Sequence, residues 1–348
     1  MIRVGVIGAG AWGLNHVRVL AHEPGCTLAL VADPNPDVAE RVQSLAPSVR
    51  TVADPDQLIC DPSIDAVVIA SPAPTHAGLA RAALRAGKHI LVEKPLAMSL
   101  ADATMLVDLA RETQRVGMVG HLMVYHPAVV QLRELLTSGA LGQLHYLHST
   151  RVNLGRLRRD ESTLWSFGPH DLSMIDFLLG QVPQSVSARG QSVLQSRIED
   201  VVFLTLRFAT GELAHVHLSW LSPRKERRLT IVCSQKMVEF DDVAVDKLRI
   251  CDKGYDRAPS FTQYAEYLTI RDGDVFIPQL SMHEPLQLQL QHFLACIRTG
   301  AQPTTSLASG VRVIAMLEAA QRSLDLDGIP VELAALDKRV LSSGAPSR

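Results

Sequence analysis

Cysteine is scarce, with five in 348 residues at Cys26, Cys60, Cys233, Cys251 and Cys296. The count is odd, the positions lie far apart and no C-x-x-C occurs, so neither a disulfide framework nor a zinc knuckle is indicated. Net charge is nearly absent too. A value of −2 at pH 7 gives no polyelectrolyte argument, and no nucleic-acid partner is implied. No apolar run reaches the ~18 residues that suggest a membrane span. The first strand-like run opens at Ile2 and leaves no room for a signal peptide ahead of it, so a reducing cytoplasm is the expected setting. No internal repeat or low-complexity tract is found. What is there is ordinary for a globular chain, 47% hydrophobic and 20% charged, and long enough for two domains with ample core.

The most informative stretch runs from Ile2 to Asp33. Ile2-Arg3-Val4-Gly5-Val6-Ile7 is apolar and rich in β-branched residues. It breaks into Gly8-Ala9-Gly10-Ala11-Trp12-Gly13, a helical pattern follows through Leu14, Val17, Leu20 and Ala21, and a second apolar run, Thr27 to Ala32, ends at Asp33. Strand, glycine turn, helix, strand and acid is the order of a dinucleotide-binding βαβ unit. Gly8 allows the tight turn, Gly10 lets backbone approach a pyrophosphate, and Gly13 lets the helix sit close on the sheet. The helix start offers unpaired N–H groups to phosphate. Asp33 follows Gly13 by 20 residues, where a carboxylate can bind both ribose hydroxyls and would repel a 2′-phosphate. The cofactor read from this is NAD rather than NADP.

Strand and helix go on alternating to about residue 122. Helices are expected at Val38–Leu45, Asp56–Cys60, Ala77–Ala86 (closed by Gly87) and from Ser99, an N-cap paired with Asp102, to about Thr113. Strands are expected at Ser48–Val52, Asp65–Ala70, His89–Val92 and Val116–Leu122. The Asp65–Ala70 run leads into Ser71-Pro72-Ala73-Pro74-Thr75-His76, a loop at the carboxyl end of a strand, where ligands sit in open α/β sheets. The domain boundary falls near His121 to Pro127. Beyond it come a helix from Pro127 to Ser138 and strand-like runs at Leu144–Val152, Val182–Gln191, Asp200–Ala209, Glu212–Ser219, Arg227–Cys233, Lys236–Asp241 and Lys247–Cys251. A helix at Pro169–Leu179 interrupts them, and long helices follow at Pro285–Thr299 and Ser306–Asp325. The expected organisation is a dinucleotide-binding domain over 1–122, an α+β domain with an open, mostly antiparallel sheet over 123–341, and a disordered tail over 342–348. One sheet face left free suits self-association.

Three stretches could carry chemistry. Lys94 stands at the carboxyl end of a strand, on the expected cofactor side, and is held extended by Pro95 through a bond that can be cis. Its ammonium could bind a substrate hydroxyl, although a surface lysine after a strand reads the same way. In Leu164-Trp165-Ser166-Phe167-Gly168-Pro169-His170-Asp171, Pro169 suits a first helical turn and puts His170 near a helix N-terminus. The partial positive charge there favours a neutral imidazole, as a general base requires. A histidine that merely caps or packs is the commoner case. Arg151, Arg156, Arg158 and Arg159 fall within nine residues and could hold an anionic substrate, or form a solvated basic loop. His215 and His217 would share one strand face and, with no third ligand nearby, are read as structural.

Together the Gly8–Gly13 turn, Glu93-Lys94-Pro95 and the His170 helix resemble the Gfo/Idh/MocA oxidoreductases. The resemblance covers nearly the whole chain, including Leu141-Gly142-Gln143-Leu144 and Leu317-Glu318-Ala319-Ala320. It implies a Rossmann domain plus an α/β domain whose open antiparallel sheet frequently builds homodimers or homotetramers. It also implies hydride transfer between NAD and a secondary alcohol carbon of a sugar or cyclitol. Carried onto this chain, Lys94 is the substrate-positioning lysine and His170 the acid/base. Many members have Asp or Tyr four residues before that histidine; here it is Ser166, which leaves a Lys94/His170 pair in place of a triad. The cofactor is expected to meet Gly8, Ala9, Gly10, Ala11, Trp12, Gly13, Asp33, Ser71, Pro72, His76, Glu93, Lys94 and His121. The substrate is expected to meet Lys94, Tyr125, Asn153, Arg156, Trp165 and His170. No metal is expected. Asn153-Leu154-Gly155-Arg156 and the Leu164–Asp171 stretch resemble the nucleotide-sugar 3-dehydrogenases, which implies oxidation at C3 of a UDP-N-acetylhexosamine uronate. A non-nucleotide sugar, a cyclitol or an aminoglycoside is the alternative, and a non-catalytic NAD-binding regulator is the alternative of another class.

Overall fold

The computed structural model describes residues 1–155, 161–257 and 268–333. These divide into two compact units, residues 1–125 with 283–315, and residues 126–282 with 316–333.

The first unit is built on six parallel strands, β1 (Ile2–Ile7), β2 (Cys26–Ala32), β3 (Arg50–Val52), β4 (Ala66–Ile69), β5 (His89–Glu93) and β6 (Gly117–Gly120). Their order in the sheet is β3-β2-β1-β4-β5-β6. Val67, Val68, Ile90, Leu91 and Val92 are wholly buried, as strands covered on both faces require. Helices α1 (Gly13–Ala21), α2 (Asp37–Leu45), α3 (Pro55–Ile59), α4 (His76–Arg85) and α5 (Leu100–Glu112) supply that cover. The α5 N-cap is the one its sequence suggests, with Ser99 Oγ accepting from the Asp102 amide at 3.1 Å. The chain reverses direction across the sheet between β1 and β4, and the carboxyl ends of these strands open the crevice where such sheets take ligands.

A late segment joins this unit, contrary to the expectation that all residues after 122 belong to the second domain. Helix α8 (Pro285–Thr299) packs on α1. Its side holds Leu290, Phe293 and Leu294, all buried. Arg18 on α1 bonds Glu284 at 2.5 and 3.2 Å, and Gln291 reaches Glu23 at 3.0 Å. The start of α9 (Leu307–Asp325) belongs here too. Gly310 is fully buried beside Leu96 and Val119, and a Cβ on it would come within 2.8 Å of both. The apolar face of these helices decides which unit they join, and sequence order does not.

Among its described residues the second unit holds α6 (Pro127–Thr137), α7 (Thr163–Leu179) and nine strands. These are β7 (Leu144–Leu154), β8 (Ser185–Gln191), β9 (Val201–Arg207), β10 (Leu213–Ser219), β11 (Leu221–Cys233), β12 (Met237–Asp241), β13 (Leu248–Arg257), β14 (Leu268–Phe276) and β15 (Val331–Glu332). The sheet order is β14-β13-β12-β11-β7-β10-β9-β8-β15. It is antiparallel except for β7 with β10, which run parallel in the register Leu213↔Tyr146 to Ser219↔Val152. Alternation sorts the two faces. Leu147, Leu204, Leu206, Val216, Leu229 and Ile231 turn inward and are buried, while Tyr146 and Phe203 are 47% and 44% exposed. His148, His215, His217 and Phe203 meet on the outward face, with the Phe203 and His217 rings stacked 4.4 Å apart. Helix α7 lies on the inward face against β7, β9 and β10.

Candidate active site

The glycine turn leaves β1 at the sheet's reversal point. Gly8 has φ +85, and a Cβ on it would stand 2.6 Å from the Ser71 amide nitrogen, so the turn and the loop after β4 are in close contact. A Cβ on Gly13 would stand 2.0 Å from the Gly8 carbonyl oxygen. Gly10 differs, because nothing lies within 4 Å of its Cβ position. Gly8 and Gly13 are thus required by the protein's own backbone, whereas Gly10 faces open space, as a residue left bare for a ligand does. The α1 N-terminus has no side-chain cap, which suits it to phosphate. Asp33 directly follows β2, with Oδ2 accepting from the Ala9 amide at 2.7 Å and Oδ1 from the Asn35 amide at 2.9 Å. Beside it opens a groove lined by Asp33, Pro34, Asn35, Val38, Thr51 and Ala53 among others. The residues after Asp33 carry no motif, and the sequence reading passed over them. The turn, the acid and the groove fit a dinucleotide.

The next two strand ends supply the other first-unit residues. Ser71 Oγ and Thr75 Oγ1 lie 2.7 Å apart, and Pro72 is exposed. His76 does not line an open surface. It is 1% exposed and its ring nitrogens face the Pro95 and Ser71 carbonyls at 2.7 and 2.9 Å, so it braces one loop against the other. Lys94 follows β5 directly, is half-buried, and is joined to Pro95 by a cis bond. Glu93 is also turned inward, at 7% exposure. Its Oε1 accepts from Trp12 Nε1 at 2.7 Å and faces His16 Nε2 at 2.8 Å, and its Oε2 accepts from the Lys94 amide at 3.2 Å. Those bonds tie the carboxylate to the glycine turn, to α1 and to the main chain of Lys94. Burial works to raise the Glu93 carboxyl, but the bonds from His16 and Trp12 and the charge on Lys94 outweigh it and hold it below the usual carboxylate range. His121 is 3% exposed, and burial pushes its imidazole down to about 3, with Arg312 and Lys94 helping and Glu93 opposing. Tyr125 is likewise turned inward. Its hydroxyl lies 3.1 Å from Thr305 Oγ1, which gives the ring a packing role where a substrate contact was expected. Trp12 is 41% exposed and presents its indole at the turn.

In the second unit, α7 starts at Thr163 after Ser162, a full turn and more before Pro169. His170 therefore sits inside the helix, and the helix-terminus argument for a neutral imidazole does not hold, because that field fades within the first turn. Pro169 has no N–H for the Trp165 carbonyl and lies in the helix interior all the same. Close packing offsets the loss: Gly168 is buried against Leu317 and Leu218, and Met174, Ile175 and Leu178 behind it are buried too. His170 is half-buried, with Nδ1 inside. Trp165 is half-buried and donates Nε1–H to Gln321 Oε1 at 3.2 Å. Asn153 is half-buried near the end of β7, and Ser166, one turn before His170, is buried.

Arg151 is withdrawn from the anion-binding set. It is 5% exposed, and Nε donates to Asp171 Oδ2 at 2.6 Å. Asp171, 1% exposed, also accepts from Ser149 Oγ at 2.6 Å. Sequence reasoning missed this buried pair. The signal was available in the strand alternation, which sends Ser149 and Arg151 to the same inward face. Arg156, Arg158 and Arg159 lie outside the described residues, as does the tail from 342 to 348. Among the described residues no group of three or more His, Cys, Asp or Glu could hold a metal ion, and no helix is long and apolar enough to cross a membrane.

Two family models cover most of the chain: the oxidoreductase family with an NAD-binding Rossmann fold at residues 2–121, and the GFO/IDH/MocA C-terminal domain at residues 129–239. Myo-inositol 2-dehydrogenase of Thermotoga maritima is 24% identical over 335 residues, spanning 93% of this chain and 96% of that protein. The scyllo-inositol 2-dehydrogenase (NAD(+)) of Bacillus subtilis is 26% identical over 347 residues, 95% and 96% of the two chains. Among solved structures, the UDP-N-acetylglucosamine 3-dehydrogenase of Acidithiobacillus ferrooxidans superposes with a TM-score of 0.79 at 26% identity, over 94% of this chain and 98% of that one. Matched in both of its domains, and with a glycine turn shaped for the dinucleotide, the chain belongs to the Gfo/Idh/MocA family of NAD-dependent oxidoreductases.

Proposed function

We propose that the protein oxidises a secondary hydroxyl of a ring polyol, with Lys94 and His170 acting on that hydroxyl, and that the substrate is a nucleotide sugar oxidised at C3, such as a UDP-N-acetylhexosamine uronate. The observation that carries the catalytic reading is the placement of Lys94. It stands at the carboxyl end of β5, and its main chain is bonded to the carboxylate that also holds Trp12 of the glycine turn. Bound NAD supplies the hydride acceptor. The Lys94 ammonium binds the substrate oxygen and favours its deprotonated form. His170 takes the hydroxyl proton at Nε2, since Nδ1 is buried. Asp33 binds the ribose hydroxyls, and the groove beside it takes the adenosine half. Asn153, Trp165 and Arg156 touch the sugar. Two copies meet through the outward sheet face that carries Tyr146 and Phe203, giving a homodimer or homotetramer, which sedimentation velocity measures directly.

The nucleotide-sugar reading is supported by the three arginines at 156, 158 and 159 and by the likeness to a UDP-N-acetylglucosamine 3-dehydrogenase. A second reading, a free cyclitol, non-nucleotide sugar or aminoglycoside, is favoured by the inositol dehydrogenases among the relatives and by the loss of Arg151 to Asp171. Following NADH absorbance with UDP-sugars, inositols and aminoglycosides separates them. Reduction of NAD by UDP-sugars alone supports the first reading, and reduction by uncharged or cationic rings alone replaces it with the second. If no polyol reduces NAD and Lys94→Ala leaves function in the cell unchanged, a non-catalytic regulator replaces both.

A further inference from the structure

The carboxylate of Glu93 is a costly thing to bury at the end of a parallel strand. Removing such a group from water costs several kcal/mol unless its lone pairs are well satisfied. Here they are satisfied by donors from three places. Trp12, the residue just before α1, gives its indole N–H; His16, in the first turn of α1, faces the same oxygen with Nε2; and the Lys94 amide takes the other oxygen. The neighbouring strand makes room for the group, since a Cβ on Gly120 would stand 2.8 Å from the carboxylate. His16 is wholly buried, and its Nδ1 has no hydrogen-bond partner among the described residues. A proton on Nδ1 would be a buried donor with no acceptor, so the ring is set with its N–H at Nε2, toward Glu93. The indole of Trp12 meets the His16 ring edge-on at 6.3 Å, which fixes both. Nothing in a structural strand end calls for this arrangement; an apolar side chain would fill the space at less cost.

We propose that Glu93 and His16 are positioning residues for the reaction: they tie the glycine turn and the start of α1 to the main chain of Lys94, so that the turn that receives the cofactor and the lysine that receives the hydroxyl move as one rigid piece. The proposal rests on the dehydrogenase reading for its catalytic meaning. Neither residue touches the reacting atoms. Their effect is to hold the Lys94 ammonium in register with the turn, and errors on the order of 1 Å in such placement cost about 100-fold in rate.

The test compares His16→Phe, which keeps a flat buried ring and removes the donor, with His16→Gln, which restores an N–H to Glu93. Three quantities are read on the full-length protein: kcat with the polyol that reduces NAD, the NAD dissociation constant by calorimetric titration, and hydrogen exchange at the Lys94 amide. The Phe variant should lose about 10- to 100-fold in kcat while NAD affinity stays within about threefold, because the phosphate-facing backbone of the turn is intact. Exchange at the Lys94 amide should rise about tenfold or more, with the amides of Leu91 and Val92 unchanged. The Gln variant should recover most of the kcat and the protection. Wild-type kcat in the Phe variant overturns the proposal. So does a parallel fall in kcat, NAD affinity and β5 protection that Gln does not reverse, which is the pattern of a merely structural residue. If the wild type oxidises no polyol, the dehydrogenase reading is what has failed. Selective exchange at Lys94 in the Phe variant then still supports the tie to the glycine turn, and unchanged exchange overturns it.

Discussion

At the scale of single residues, the chain shows how one side-chain type takes opposite duties according to what surrounds it. Asp33 and Asp171 are both carboxylates at the end of a regular element or inside one. Asp33 is half-buried, binds the glycine turn through Ala9 and its own loop through Asn35, and borders a groove. Asp171 is sealed against Arg151 and Ser149. Asp33→Ser should therefore act on the cofactor. A charge-assisted bond is worth about 1.5–3 kcal/mol, so NAD affinity should fall about 10- to 100-fold, and NADP, no longer repelled, should gain. Fluorescence titration with both dinucleotides measures this, and unchanged preference would show that the carboxylate faces something else. Asp171→Asn should act on stability. It leaves a buried guanidinium without its counter-charge, a loss of about 3–5 kcal/mol in urea denaturation. Arg151→Met combined with Asp171→Leu should lose much less, because no charge is then left behind.

At the scale of elements, the glycine turn gives the sharpest contrast. Gly13→Ala places a methyl 2.0 Å from the Gly8 carbonyl oxygen and should destabilise the fold, at about 1–3 kcal/mol for such overpacking. Gly10→Ala meets nothing within 4 Å. It should fold and melt as the wild type does, yet bind NAD at least about tenfold more weakly, a cost of about 1.4 kcal/mol. A Gly10→Ala protein with full NAD affinity would mean the pyrophosphate lies elsewhere. This turn was legible in the sequence because glycine has no substitute where backbone meets backbone. Most of the strands and helices around it were legible for a similar reason, as their burial follows a simple period. Helix α7 was misread at its start. Gly168 and Pro169 look like a beginning, and only packing against Leu218 and Leu317 carries a helix through them. Strand β14 was missed because Leu268–Phe276 is exposed along nearly its whole length, and no buried face imposes an alternation. The inward turns of Glu93, His76 and Tyr125 were hidden for another reason, since a sequence names the residue at a site but not the partner that claims its polar atoms.

At the scale of the whole molecule, acid should weaken the fold through its buried imidazoles. His121 has a folded value of about 3 against about 6.5 when unfolded. The unfolded chain therefore takes up a proton on this group as pH falls below 6.5, and the folded chain does not until near 3. The stability this contributes is complete above pH 6.5 and is lost progressively as pH drops toward 3. His89, His126, His215, His217 and His292 are also lowered, first by burial, and act with the same sign. Unfolding free energies of wild type and His121→Asn, measured from pH 7 to 4, should diverge by up to about 1.4 kcal/mol per pH unit below 6. Parallel curves would show that His121 is not held neutral by the fold.

The proposed chemistry draws Lys94 from one unit and His170 from the other. A crystal structure of the full chain with NAD and the polyol that it oxidises tests this most directly. The proposal predicts one hydroxyl oxygen within about 3.2 Å of both the Lys94 ammonium and His170 Nε2, with the carbon that bears it facing the nicotinamide. A substrate whose reacting hydroxyl is held by other side chains, with either of these two nitrogens out of reach, would contradict it.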